Sequence, residues 1–135
     1  MTARASVLTV EGVYLVDLED GTALGPSTDA EFDLPPAPAS RPFLPRLVAA
    51  SSAGSTVAAV VDAKPPLLVS HDAGRTWKDS GRGLPPGHAV AVSAEDPDRL
   101  LYAARNRLYV STDGGRFWRS LELELPDIEN VAWAD

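Results

Sequence analysis

The chain has 135 residues, 44% of them hydrophobic and 23% charged, which suits a single core and leaves no room for several independent ones. Its net charge of −7, from 12 Lys and Arg against 19 Asp and Glu, argues against nucleic acid, whose binding needs clustered cations to neutralise phosphates. Cysteine is absent, so disulfides and thiolate chemistry are excluded; no apolar leader and no apolar run of about 18 residues appears, which points to the cytoplasm and away from a membrane.

In chain order, residues 5–10 and 12–17 alternate as strands and meet an acidic turn, Glu19-Asp20-Gly21. The stretch 22–34 supplies an irregular outer strand, which makes three strands of a unit that lacks its innermost one. Asp17, Glu19 and Asp20 are close enough to chelate a cation, but an acidic hairpin turn accounts for them equally well. Residues 35–45, with Pro35, Pro36, Pro38 and Pro42, form an extended connector. A second unit, 46–86, holds strands at 46–51, 56–61, 66–70 and 76–80. A third, 87–126, repeats the order at 88–93, 99–104, 107–111 and 117–122. There Glu122 and Glu124 alternate with Leu121, Leu123 and Leu125 as an outer strand with a charged side in water. The last stretch, 128–135, stands where a further innermost strand belongs, since Val131 moved back by 41 residues falls on Val90. No segment has a helical period, and the chain reads as all-β.

The third strands of the two later units run into related octapeptides, 41 residues apart. One is Ser70-His71-Asp72-Ala73-Gly74-Arg75-Thr76-Trp77, the other Ser111-Thr112-Asp113-Gly114-Gly115-Arg116-Phe117-Trp118. A strand that passes through Ser-x-Asp-x-Gly and emerges carrying Trp must turn tightly between. The Asp accepts hydrogen bonds from backbone N–H groups just after it, Gly supplies a positive φ, and the Trp clamps the hairpin to its neighbours. This pattern resembles the Asp-box, or BNR repeat, of β-propeller proteins such as sialidases, sortilin-type receptors and photosystem assembly factors. The resemblance implies four-stranded blades, with the boxes on the outer rim away from any central pocket. It carries over to Ser70, Asp72, Gly74, Trp77, Ser111, Asp113, Gly115 and Trp118 as blade-building positions, because fold and function are separable.

Three blades are too few to close a ring, since propellers have roughly four to eight. The sequence therefore predicts a homodimer forming one six-bladed propeller. Each composite blade would join 1–34 to a 128–135 strand, taken from the partner chain so that no edge stays open. Sialidase chemistry is not expected. The Phe/Tyr-Arg-Ile-Pro signature is missing, and Tyr14, Tyr102 and Tyr109 fall in second or third strands rather than facing a pocket. No nucleophile elbow, phosphate-cradling loop or metal-ligand spacing is present, His71 and His88 lying in a turn and at the start of a strand. The expected function is a non-catalytic scaffold binding another protein or a ligand, without cofactor or metal. Its candidate contacts are the ring-face loop residues Arg41, Arg46, Asp62, Lys64, His88, Arg105, Asn106, Arg107, Asp127 and Glu129. The alternative is a glycan-active hydrolase, for which Asp62, Asp127 and Glu129 are the acidic candidates.

Overall fold

The computed structural model describes residues 3–28, 32, 44 and 46–134; Arg41 and most of the Pro-rich connector lie outside them. Among the described residues there is no helix, and the strands form three four-stranded antiparallel sheets. One sheet contains β1 (Arg4–Thr9), β2 (Gly12–Asp17) and β3 (Thr22–Ser27). Blade 2 contains β4 (Leu47–Ala53), β5 (Thr56–Val61), β6 (Leu67–Ser70) and β7 (Lys78–Ser80), in that order. Blade 3 contains β8 (Ala89–Val92), β9 (Leu100–Ala103), β10 (Leu108–Ser111) and β11 (Arg119–Ser120). The last strand, β12 (Ile128–Trp133), joins the first sheet beside β1 and makes it a composite blade of order β12-β1-β2-β3.

Side-chain size explains how the blades stack. β5 is buried along its whole length, and its Val and Ala side chains are small enough for both faces to be covered at close approach. One face of blade 2, with Ala58, Val60, Leu67 and Val69, packs on Val90, Val92, Leu100 and Tyr102 of blade 3. The opposite face of blade 3, with Ala91, Leu101, Leu108 and Val110, packs on Ala5, Val7, Val16, Leu18 and Val131 of the composite blade. Each fully buried Val or Leu contributes about 1.5–3 kcal/mol. Blade 3 is therefore central, and the spatial order is blade 2, blade 3, composite blade. The inner strands are tied directly, the Val92 N–H donating to Ser51 Oγ of β4 at 3.0 Å. Among the described residues no strand of the composite blade touches a strand of blade 2, so the three blades form an open arc.

Two expectations change. The composite blade is closed within one chain: β12 runs antiparallel to its own β1, from Ala5 opposite Trp133 to Thr9 opposite Ile128. The reason lies in blade 3, which packs on the composite blade and delivers residues 121–127 directly to that edge; the Ile128 N–H donates to the Arg105 carbonyl at 2.8 Å. The outer strand of blade 3 stops at Ser120, and 121–125 is not a strand. Leu121 and Leu125 are both buried, and only their two N–H groups reach back, to the Leu108 and Asn106 carbonyls. Burial of both leucines takes precedence over the alternation with Glu122 and Glu124. In the composite blade, the described outer strand is β3, and residues 29–31, 33 and 34 of the expected stretch 22–34 lie outside the described residues.

Candidate functional site

The two Ser-x-Asp-x-Gly octapeptides, referred to below as the first and second box, form hairpins at one end of blades 2 and 3. In the first, the Ser70 hydroxyl donates to Asp72 Oδ1 at 2.7 Å and accepts from the Gly74 N–H at 2.8 Å. Asp72 then accepts from the Thr76 N–H at 2.8 Å and from the Thr76 hydroxyl. That hydroxyl is the main reason the Asp72 carboxyl is held far below the usual carboxylate range, with the Thr76 N–H and Ser70 hydroxyl adding to it. The second box repeats the plan. The Ser111 hydroxyl donates to Asp113 Oδ1 at 2.8 Å, and the Phe117 and Arg116 N–H groups donate to the same oxygen at 3.1 Å. The Asp113 carboxyl is likewise lowered, first by the Phe117 N–H. Both carboxylates accept their hydrogen bonds from within their own turns.

The second box also joins blades. The Trp118 Nε1–H is shared between Ser80 Oγ of blade 2 and the Gly115 carbonyl, both at 3.2 Å, while the Ser80 hydroxyl donates to that carbonyl at 2.6 Å. A Cβ on Gly115 would lie 2.9 Å from Ser80 Oγ, so this contact demands glycine. The Tyr102 ring meets Trp118 edge-on at 6.0 Å, and its hydroxyl donates to the Pro85 carbonyl at 2.6 Å; burial raises its pKa beyond the ordinary phenol range. The acidic turn of the composite blade is held in the same manner. Asp17 Oδ1 accepts from the Glu19 N–H at 2.9 Å, and Asp20 Oδ1 from the Thr22 N–H at 3.0 Å. Among the described residues, no group of three His, Asp or Glu side chains is placed to hold a metal ion.

The opposite end carries the loops named from sequence, and it divides them into separate groups. His88, Arg105, Asn106 and Arg107 come together around a cavity of about 380 Å³, with Pro85, Pro86, Ala104 and Tyr109 as its other walls. Arg105 Nε donates to Asp127 Oδ1 at 3.1 Å, and Arg107 Nη2 donates to Glu124 Oε1 at 2.9 Å. Glu124 raises the Arg107 pKa further through that bond. Lys64 lies apart, in a second hollow with Pro65, Pro66, Arg82 and Leu84. Arg46 stands at the start of blade 2, where its carbonyl accepts from the Asp62 N–H at 3.0 Å. Glu129 is exposed on β12. Sequence reasoning missed Glu124 as the partner of Arg107, because it had placed that carboxylate on a solvent-facing strand.

Repeated four-stranded antiparallel blades, stacked face to face with their inner strands converging, define β-propeller architecture. In fold the chain is similar to the GH74 enzyme of Niastella koreensis, with a TM-score of 0.52 and 19% identity over 94% of this chain and 19% of that one. Two further solved structures are YCF48 bound to D1 peptide (TM-score 0.49, 16% identity, 93% of this chain and 43% of that one) and YCF48 from Cyanidioschyzon merolae (0.46, 21%, 89% and 38%). The chain thus spans about a fifth of the length of the GH74 enzyme and less than half of either YCF48 chain. Identities this low establish the fold alone. No protein-family model and no curated protein sequence matches the chain. No helix among the described residues is long and apolar enough to cross a membrane.

Proposed function

We propose that the chain is a non-catalytic Asp-box propeller scaffold that holds a protein or ligand partner on its loop face. The observation that carries this reading is the cavity of about 380 Å³ that gathers His88, Arg105, Asn106 and Arg107. Its size falls in the range of about 300–1,000 Å³ typical of ligand sites, and proline and tyrosine walls surround its polar groups. A glycosidase would instead need two carboxylates about 5 to 9.5 Å apart and free to act. Asp127 is engaged by Arg105, and Glu124 by Arg107. The test is affinity capture with the wild-type chain and with Arg105→Glu/Arg107→Glu at equal loading. A partner retained by the wild type and lost from the variant is expected. Turnover of 4-methylumbelliferyl glycosides that disappears in Asp127→Asn or Glu129→Gln would overturn the reading.

The same reading includes closure of a six-bladed ring by a second copy. It is supported by the open arc of three blades and by the uncovered face of the composite blade. Leu8, Val13 and Leu15 are only partly buried there, and Leu24 is 74% exposed. Docking that face on blade 2 of a partner would bury the apolar stripe without exchanging any strand. Light scattering behind a sizing column should give twice the chain mass of 14.3 kDa. A folded monomer at every workable concentration would refute the closure while leaving the blades as described.

A further inference from the structure

We propose that the rim groove between blades 2 and 3 is a binding site for an extended acidic peptide. This groove has a volume of about 600 Å³ and shares Arg82 and Leu84 with the hollow beside Lys64, and Tyr109 with the cavity beside Arg105. Its floor is built from Val69, Ser80, Gly81, Gly115, Tyr109 and Trp118, the inter-blade contact already described. Its walls carry Lys78 and Arg82 from blade 2 and Arg116 and Phe117 from the second Asp-box, with Asp79 the only carboxylate. Three unpaired cations in one groove are unusual for a chain of net charge −7. None of them has an ion-pair partner among the described residues, whereas Arg105 and Arg107 do.

Phe117 supplies the second argument. It occupies the place that Thr76 holds in the first box, where the threonine hydroxyl closes the turn by donating to Asp72. Phe117 keeps the turn through its N–H alone, 3.1 Å from Asp113 Oδ1, and its ring is 79% exposed beside the cations. An aromatic that contributes nothing to the turn and stands in water is suited to contact with a partner. The third argument concerns the backbone. β7 is the outermost strand of blade 2, so its outer edge offers main-chain groups to an added strand. A peptide uses such an edge, whereas a polysaccharide and a nucleic acid have no strand of N–H and C=O groups to pair with it. The groove is lined by residues of one chain and stands independently of ring closure, and none of its cations lines the loop-face cavity.

The test is fluorescence anisotropy with a labelled peptide of about ten alternating Glu and Val residues, a length that spans one strand edge. A matched Lys–Val peptide, oligo-dT and oligogalacturonate serve as competing probes. The Glu–Val peptide should bind, and salt should weaken it. Lys78→Glu/Arg116→Glu should lower its affinity about tenfold or more, because both attractive charges become repulsive. Phe117→Thr, which restores the side chain of the first box and its hydroxyl bond, should weaken binding without lowering the unfolding midpoint. Equal binding by wild type and charge-reversed chains would overturn the assignment. So would binding of the Lys–Val peptide, oligo-dT or oligogalacturonate with the same dependence on Lys78 and Arg116.

Discussion

Replacing Ala73 by glycine should stabilise this chain. Ala73 has φ +61°, in the left-handed region, and its counterpart in the second box is Gly114 at φ +75°. The two positions do the same work. The Ala73 N–H donates to the Ser55 carbonyl, and the Gly114 N–H to the Asp98 carbonyl, both at 2.9 Å, so each pins its box to the turn between the first two strands of its blade. A left-handed conformation costs a Cβ-bearing residue about 1–2 kcal/mol. Glycine brings back about 0.5–1 kcal/mol of unfavourable chain entropy, so Ala73→Gly should gain about 0.5–1 kcal/mol net. The reverse change, Gly114→Ala, loses the same amount and adds crowding, since its Cβ would lie 3.3 Å from His71 Cε1 and 3.4 Å from Asp98 Oδ1. A loss of about 1 kcal/mol or more is expected there. Denaturant unfolding reads both as midpoint shifts at constant slope, and thermal melts as roughly 2–4 °C in opposite directions. An Ala73→Gly chain that is less stable than wild type would show that the alanine is not strained and would sink the argument.

The Asp-box carboxylates set an acid limit. Because the folded pKa values of Asp72 and Asp113 are depressed, their contribution is present above the unfolded value of about 4 and is lost as pH falls below it. Urea midpoints should therefore drop on acidification, and Asp72→Asn/Asp113→Asn should flatten that drop; parallel curves for the two proteins would contradict it. Trp118→Phe should cost about 1–2 kcal/mol more than Trp77→Phe, because it removes the shared Nε1–H bond to Ser80 and the Gly115 carbonyl. Trp77 makes no side-chain hydrogen bond among the described residues, and equal losses would remove the clasp role from Trp118. Deleting 128–135 removes the buried Ile128 and Val131, worth about 1.5–3 kcal/mol each, and bares the edge of β1. The truncated chain should aggregate or lose cooperative unfolding by circular dichroism, and a soluble, cooperatively folding product would count against closure at β1.

Much of the fold was legible because the repeat and the alternation agreed. The strands at 12–17 and 56–61 are found where alternation and turn chemistry placed them. Val131 takes the part in β12 that Val90 takes in β8, each facing the preceding blade from an innermost strand. The failure at 121–125 came from a pattern that is ambiguous by itself. Leu and Glu alternate, yet two of the leucines are needed by the core and the chain bends to bury them. The origin of the closing strand was illegible because pairing between distant segments follows from which blades stack, and that is a property of three dimensions. The rim groove went unseen for the same reason, since Lys78 and Arg116 meet only across two blades. One signal was present in the sequence: the two boxes differ at the position before Trp, where the first has Thr76 and the second the apolar Phe117.

The composite blade also dictates an order of assembly. Blades 2 and 3 are contiguous in sequence, so their strands can pair as soon as each hairpin is made, and their shared core needs nothing from either end of the chain. β1, β2 and β3 are made before blades 2 and 3, yet the inner edge of β1 has no partner until β12 follows more than a hundred residues later. That wait is the long-range pairing that slows folding and leaves an apolar edge open to other molecules. A chain stalled or cleaved before Val131 would hold two finished blades and a third unable to close. The soundness of the first sheet is thus decided by β12, which acts as the latch on strands completed long before it.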